Sequence, residues 1–209
     1  MTALATPLRE PGDAPVLANL GCGPKGAGRL PPLFGGWREL RVDADPSTDP
    51  DVLADLTDLS ALGSGSVQGV WCSHCIEHLH RHEVPGALAE IRRILAPDGF
   101  ACIFTPDLQT IARYIAADQL DEPIYQSASG PVSAHDVVFG FGAAVARGQT
   151  YMAHRCGFTP SSFTRALEEA HFGQFAVLRR PNFELAAVAH RSGWASPAER
   201  DQLIERLQL

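Results

Sequence analysis

The amino-acid sequence predicts an α/β protein with a mostly parallel sheet and helices on both faces. Short apolar runs typical of buried strands alternate with segments of helical periodicity. Turns rich in glycine or aspartate follow the first strands, and two apolar runs near the end of the chain suggest a closing antiparallel pair. We expect a flexible leader at residues 1–14 and one domain over residues 15–209.

Five apolar runs in the first half have the length and composition of buried strands. They cover residues 16–20, 38–42, 51–55, 67–72 and 100–104. Between the last two, apolar residues recur with the helical period, so residues 83–95 are predicted to form a helix. Pro97, Asp98 and Gly99 end that helix and start the next strand.

The second half is less regular. Its predicted elements are helices at 108–117 and 160–170 and antiparallel strands at 175–178 and 183–189. Thr159 or Ser161 is expected to cap the second of these helices. Residues 118–157 are rich in Gly, Pro, His and Ser and are predicted to be irregular. Because long loops in compact domains are usually functional, we expect residues 107–157 to be an insertion that faces the substrate.

Composition excludes several classes of function. With 24 acidic and 17 basic residues the net charge is −7, which gives no general attraction to nucleic acid or anionic membranes. Lys25 is the only lysine, a bias that we attribute to a bacterial type of genome composition. No apolar run reaches the roughly 18 residues of a membrane span, and the start of the chain does not resemble a secretory signal. The five cysteines are then expected to be reduced in a cytoplasm.

The first motif is a glycine-rich turn, Gly-x-Gly-x-x-Gly at residues 21–26, directly after the first strand. Glycine permits a sharp turn and lets a ligand approach the backbone closely. The spacing is that of a dinucleotide fingerprint, with Asp43 as the acid about 20 residues further on. However, Pro31 and Pro32 interrupt the helix that such a site needs. The turn favours a ligand without phosphates, and a nicotinamide-dependent oxidoreductase remains an alternative.

Further motifs accompany this turn in order along the chain. Together they read Leu20-Gly21-Cys22-Gly23, Val42-Asp43-Ala44-Asp45-Pro46, Ala54-Asp55-Leu56, Ser73-His74-Cys75-Ile76-Glu77-His78-Leu79 and Leu95-Ala96-Pro97-Asp98-Gly99-Phe100. Over roughly residues 15–106 the chain resembles the class I S-adenosylmethionine-dependent methyltransferases of the type 11 group. The resemblance implies a Rossmann-like sheet of seven strands, S-adenosylmethionine as the cofactor, and methyl transfer as the activity.

The resemblance also implies which residues surround the methionine part of the cofactor. Gly21, Cys22 and Gly23 would form the loop that passes under it. Asn19 stands where the family often has an acid, two residues before the first glycine, so a charged contact with the cofactor ammonium is disfavoured there. The backbone near Ser73 and the following residue would face the cofactor's amino group.

Aspartates at strand ends would complete the cofactor site. Asp43, followed by Ala44, would accept hydrogen bonds from the two ribose hydroxyls, because a carboxylate offers two oxygens in one plane. Asp45 competes for this role. Asp55 and the backbone of Leu56 would meet the adenine. Aspartate also favours turns, which is the alternative explanation for all three acids.

The segment after the fourth strand contains His74, Glu77 and His78 in the pattern His-x-x-Glu-His. The same spacing occurs in inverted zinc proteases, but there it lies on a helix, whereas His74 directly follows a strand. Some methyltransferases with Glu-x-x-Glu-His at this place hold a divalent metal. Because His74 replaces the first of those glutamates, we expect no metal.

Methyl transfer from a sulfonium is an in-line displacement, so the protein mainly aligns the acceptor and excludes water. A hydroxyl acceptor also benefits from a base, and histidine serves near neutral pH. The candidates are His74, His78, His135 and His154, of which we favour His78. We expect a small-molecule acceptor and neither a nucleic acid nor a membrane as partner. A non-catalytic module that binds S-adenosylmethionine is the second alternative.

Overall fold

The computed structural model describes residues 13–26, 30–127 and 129–209, and it confirms the predicted fold class. Most of the predicted leader lies outside the described residues. The strands are β1 Val16–Leu20, β2 Arg38–Asp43, β3 Val52–Leu53, β4 Val67–Ser73, β5 Leu95–Pro106, β6 Pro123–Ser127, β7 Gly130–Ser133, β8 Gln174–Arg179 and β9 Glu184–His190. Seven of them form one sheet in the order β3-β2-β1-β4-β5-β9-β8. Within it the described pairs are parallel except those that β9 makes with β5 and β8.

Six helices accompany the strands in the described part of the chain. They are α1 Val84–Ile94, α2 Leu108–Ala116, α3 Ala134–Phe139, α4 Gly142–Ala146, α5 Pro160–Glu169 and α6 Pro197–Leu207. The predicted helices at 83–95, 108–117 and 160–170 correspond to α1, α2 and α5. Thr159 caps α5, because its side chain accepts a hydrogen bond from the Ser162 N–H at 3.3 Å. No helix among the described residues is both long and apolar enough to cross a bilayer.

One face of the sheet is covered by α1 and α5. The apolar stripe that predicted α1 is fully or nearly fully buried, and it packs against buried residues of α5. Its members are Val84, Ala87, Leu88, Ile91 and Ile94. This packing orients β4 and β5, which flank α1 in the chain, so that both end at the same edge of the sheet.

The opposite face is covered by an aromatic cluster and by α6. Phe34, in a 3-10 turn at Pro32–Phe34, meets the Trp37 ring edge-on at 5.2 Å, and both contact Phe100 of β5. Leu207 of α6 is buried in the same cluster. Helix α6 was not predicted from the sequence, because the helix is rich in charged residues and its apolar stripe is narrow. Its start does carry a signal: Ser196 accepts from the Glu199 N–H at 3.2 Å, and a proline stands in the first turn.

The prediction that residues 118–157 are irregular was wrong. This segment contains the hairpin of β6 and β7, helices α3 and α4, and a 3-10 turn at Thr150–Met152. Each element has six residues or fewer, which is too short for a periodic pattern to show in the sequence. Ile111 of α2 and Val137 of α3 belong to a small core that is separate from the two main clusters.

Replacing Leu207 tests whether α6 is an integral cover of the sheet. Leu207 is 2% exposed. We expect Leu207→Ala to lower the free energy of unfolding by at least about 2 kcal/mol, since a buried leucine loses its transfer energy and leaves a cavity. Urea denaturation measures the change. Glu205→Ala on the exposed side of α6 is the control and should change stability by no more than about 0.5 kcal/mol.

Candidate active site

A cavity of about 450 Å³ lies at the carboxyl ends of β1, β2 and β4. This is where ligands bind on parallel sheets, and the volume is typical of small-molecule sites. Eight of the residues that the sequence assigned to the site line it, namely Gly21, Gly23, Asp43, Ala44, Asp55, Leu56, His74 and His78. The tertiary structure therefore brings together residues from four separate motifs.

The glycine-rich turn crosses close over the segment that follows β4. Gly21 and Gly23 have φ values of 63° and 61°, which favour glycine. The N–H groups of Gly21 and Cys22 both donate to the Val42 carbonyl, at 2.8 and 3.2 Å. A Cβ added at Gly21 would overlap the Sγ of Cys75. Glycine is required here by both the backbone conformation and the close approach.

Asp43 at the end of β2 holds this turn in place. Its Oδ2 accepts from the Gly23 N–H at 2.8 Å, and its Oδ1 accepts from the Asp45 N–H at 2.9 Å. Both oxygens keep a lone pair for a ligand. Asp45 also lines the cavity, where its carboxylate accepts from the Ser47 N–H at 2.8 Å and from the Tyr151 hydroxyl. These hydrogen bonds, above all those from Ser47, lower the pKa of Asp45.

Asp55 lies in the turn after β3 and lines the cavity. Its Oδ1 accepts from the Thr57 N–H at 2.8 Å and from the Thr57 hydroxyl at 2.6 Å. These bonds orient an exposed carboxylate. Leu56 beside it supplies an apolar wall of the cavity.

Three predicted site residues are not among those that line the cavity. The Asn19 side chain donates to Glu39 Oε1 at 2.8 Å, because alternation along β1 directs it away from its neighbour Leu20, which does line the cavity. Ser73 lines a second cavity. Cys22 has its Sγ 3.9 Å from Asp43 Oδ2. The structure places these three residues outside the cavity lining, and their assignment to the cofactor site stays a prediction.

His74 is held between two carboxylates. Its Nδ1 lies 3.1 Å from Glu77 Oε1, and its Nε2 lies 2.6 Å from Glu184 Oε1. Partial burial lowers the pKa of His74, but the hydrogen bonds and charges of Glu184 and Glu77 outweigh it and raise the pKa to about 10. Because a carboxylate oxygen engages each of its ring nitrogens, His74 is less suited to act as a base than a histidine with a free nitrogen.

His78 and His154 are arranged differently. His78 Nδ1 lies 3.2 Å from the Ala153 carbonyl, and His154 Nδ1 lies 2.8 Å from the Val137 carbonyl. Since a carbonyl only accepts, each Nδ1 carries a hydrogen, and in the neutral form of each ring Nε2 keeps a lone pair. The two rings meet edge-on at 4.9 Å. His135, another candidate from the sequence, is exposed on α3 beside Phe139 and does not line the cavity.

The comparison with known families agrees with this geometry. Residues 19–103 match a family model described as a methyltransferase domain. This region is a class I S-adenosylmethionine-dependent methyltransferase domain. The cofactor of this methyltransferase is S-adenosylmethionine. No curated protein matches the sequence.

Solved structures of methyltransferases share the fold at low sequence identity. An S-adenosylmethionine-dependent methyltransferase from Mesorhizobium loti is 16% identical, with a TM-score of 0.53 over 88% of this chain and 94% of the other. One from Archaeoglobus fulgidus is 12% identical, with a TM-score of 0.53 over 84% and 86%. One from Methanosarcina mazei is 12% identical, with a TM-score of 0.54 over 85% and 93%.

The inserted segment at residues 107–157, outside the matched region, forms one wall of the same cavity. Its contributions are Gln149, Tyr151, Met152 and Arg155. The sequence analysis assigned the segment to the substrate, yet Tyr151 binds Asp45, a candidate ribose ligand. The N–H groups of Arg155 and Cys156 donate to the Glu77 carbonyl, at 2.8 and 3.1 Å, and fasten the segment to the end of β4. The aromatic residues of the segment, Tyr151 among them, favoured a pocket wall from the sequence alone, but the contact of Tyr151 with Asp45 and the position of Arg155 could not be predicted, because they depend on long-range contacts.

The ion pairs of His74 predict a pH dependence of stability. A histidine whose pKa is raised on folding contributes stability that is complete below its unfolded value and is lost as the pH rises through the folded value. The contribution of His74 should therefore be present at pH 6 and decline towards pH 10. We expect the stability difference between wild type and His74→Gln, measured by urea denaturation, to shrink over this range. A difference that is constant with pH would contradict the charged pair.

Proposed function

We propose that this chain transfers the methyl group of S-adenosylmethionine to a small-molecule acceptor bound in the same cavity. The observation that carries the proposal is the meeting of the glycine turn, the acids at the ends of β2 and β3, and His78 around one cavity of about 450 Å³. The alternative of a nicotinamide-dependent oxidoreductase loses support. Its dinucleotide would need a regular helix after the glycine turn, whereas the described part of that segment forms a 3-10 turn at Pro32–Phe34.

The residues fit the cofactor in three respects. Gly21 and Gly23 have positive φ values and both line the cavity, so the turn presents backbone without side chains to the cofactor. Asp43 offers two oriented oxygens to a pair of ribose hydroxyls, with Asp45 next to it as the competing acid. Asp55, with the adjacent backbone, would meet the adenine at the end of β3. When bound, the cofactor supplies a methyl group already activated by its sulfonium.

The protein's own part is to position the acceptor, exclude water and take up a proton. We assign the proton to His78, since it lines the cavity and its Nε2 keeps a lone pair. Tyr151 and Met152 line the cavity on the side of the inserted segment and limit the access of water to it.

A small acceptor is supported by charge and by dimensions. The chain has a net charge of −7, which disfavours polyanionic substrates. The cavity has the size of small-molecule sites, and the inserted segment closes part of it.

Turnover is tested by incubating the protein with methyl-labelled S-adenosylmethionine and a metabolite extract. We expect one or more metabolites to gain one labelled methyl group in mass analysis. His78→Gln should reduce this turnover by roughly 10²-fold or more if the histidine acts as a base. His135→Gln is the control and should retain it, because His135 is exposed outside the cavity. Cofactor binding without turnover would favour the non-catalytic module, and binding of NAD would favour the oxidoreductase.

The ribose assignment is tested by calorimetry with S-adenosylhomocysteine. We expect Asp43→Ala to weaken binding by tenfold or more, since a charge-assisted hydrogen bond contributes about 1.5–3 kcal/mol. Asp43→Asn keeps one acceptor oxygen for the loop and should fall between wild type and alanine. A large loss in Asp45→Ala with an unchanged affinity in Asp43→Ala would move the ribose to Asp45.

A further inference from the structure

Three side chains with metal-ligating atoms meet beside the cavity. Glu77 and His78 lie in the 3-10 turn Ile76–His78 after β4, and His154 lies in the inserted segment. One ligand atom from each is within 4.8 Å of the others. His78 lines the cavity, whereas Glu77 and His154 do not. The trio therefore joins two parts of the chain that are distant in sequence.

The hydrogen bonds of the two histidines prepare them to bind a cation. Metal-binding histidines almost always donate their second ring N–H to a carbonyl or carboxylate, which fixes the tautomer and the ring orientation. His78 and His154 both do so through Nδ1, to the carbonyls of Ala153 and Val137. In the neutral form of each ring, this tautomer leaves a lone pair on Nε2. The ring centroids are 4.9 Å apart, and one ligand atom of each ring lies within 4.8 Å of the other, so the two rings can share one ion.

Glu77 supplies a second, independent observation. The residue is 0% exposed, and its Oε1 is held by His74 Nδ1. Its Oε2 is buried and has no hydrogen-bond partner among the described residues. A buried carboxylate oxygen without a partner is costly, and burial would raise the pKa of Glu77. The hydrogen bond and charge of His74 outweigh this and lower that pKa. Apart from the pKa, the geometry leaves Oε2 as a buried oxygen that a cation would satisfy.

We propose that Glu77, His78 and His154 bind one divalent transition-metal ion of the zinc class, which fastens the inserted segment to the end of β4. Two imidazoles and one carboxylate suit zinc-like ions better than Mg²⁺ or Ca²⁺, which prefer oxygen ligands. Bonds of about 2.0–2.2 Å would draw the three atoms closer together than in the metal-free structure. Three protein ligands leave a fourth position open for water or a ligand oxygen.

This inference revises the expectation of no metal. The pattern in the sequence comprises His74, Glu77 and His78, but both ring nitrogens of His74 are engaged by carboxylates, so His74 is not available as a ligand. The third ligand is instead His154, which no sequence spacing connects with the turn. Ion binding needs neither cofactor nor acceptor and so does not depend on the proposed function. With an ion bound, His78 Nε2 would be a ligand and could not also take up the proton of the acceptor. The ion would instead make an acceptor hydroxyl more reactive by lowering its pKa.

The test uses the full chain after removal of metals with EDTA. Zn²⁺ is titrated in competition with a chromophoric chelator, and Co²⁺ is added separately to record its visible spectrum. We expect one ion per chain, with a Co²⁺ spectrum that indicates nitrogen and oxygen ligands in a site of low coordination number. His154→Gln and His78→Gln should each weaken Zn²⁺ binding by at least tenfold and abolish that spectrum.

The matched controls are His80→Gln and His82→Gln. These histidines are exposed and stack on each other at 5.7 Å only a few residues from the site. Both controls should bind Zn²⁺ as the wild type does, and Zn²⁺ should raise the Tm of wild type and controls only. Circular dichroism of each variant checks the fold. Absence of Zn²⁺ binding to wild type, equal affinity in folded His154→Gln, or loss of binding in a control would each overturn the proposal.

Discussion

The contacts of Glu77 are the constraint on which the rest of the site depends. Its backbone carbonyl accepts two hydrogen bonds from the inserted segment, at Arg155 and Cys156, and its buried carboxylate holds His74. His74 in turn binds Glu184 at the start of β9. One residue thus connects the end of β4, the insertion and the antiparallel strand. Because burying an ionised carboxylate is costly without such partners, these elements are coupled to each other.

The cofactor side of the cavity depends on a different constraint, which is the closeness of the glycine turn to Cys75. The Cys75 Sγ donates to the Leu20 carbonyl at 3.3 Å and occupies the space that a side chain at Gly21 would need. The turn is then stabilised from the other side by Asp43. In the proposed cofactor site, the surface for the methionine part would therefore be set by the close approach of backbone from neighbouring strands, and the side chains of the turn would contribute little to it.

Two segments that are distant in sequence together cover the second face of the sheet. In the described part between β1 and β2, only a 3-10 turn is present, and it contributes Phe34. The C-terminal helix α6 supplies further apolar contacts to the same aromatic cluster through Leu203, Ile204 and Leu207. A stable sheet must bury its apolar face, but the fold does not require that a particular segment of the chain forms the cover.

The sequence by itself determined the sheet, its principal helices and the cofactor motifs, because each is encoded in a local pattern. Each of these patterns spans only a few consecutive residues and can be recognised without knowledge of the fold. Examples are the apolar runs of the strands, the apolar stripe of α1, and the turn at Gly21 and Gly23. The tertiary structure decided which side chains share the cavity. Strand alternation turned Asn19 away, and folding of the insertion brought Tyr151 to Asp45 and His154 to Glu77. Such contacts arise from packing between distant segments, which no local pattern specifies.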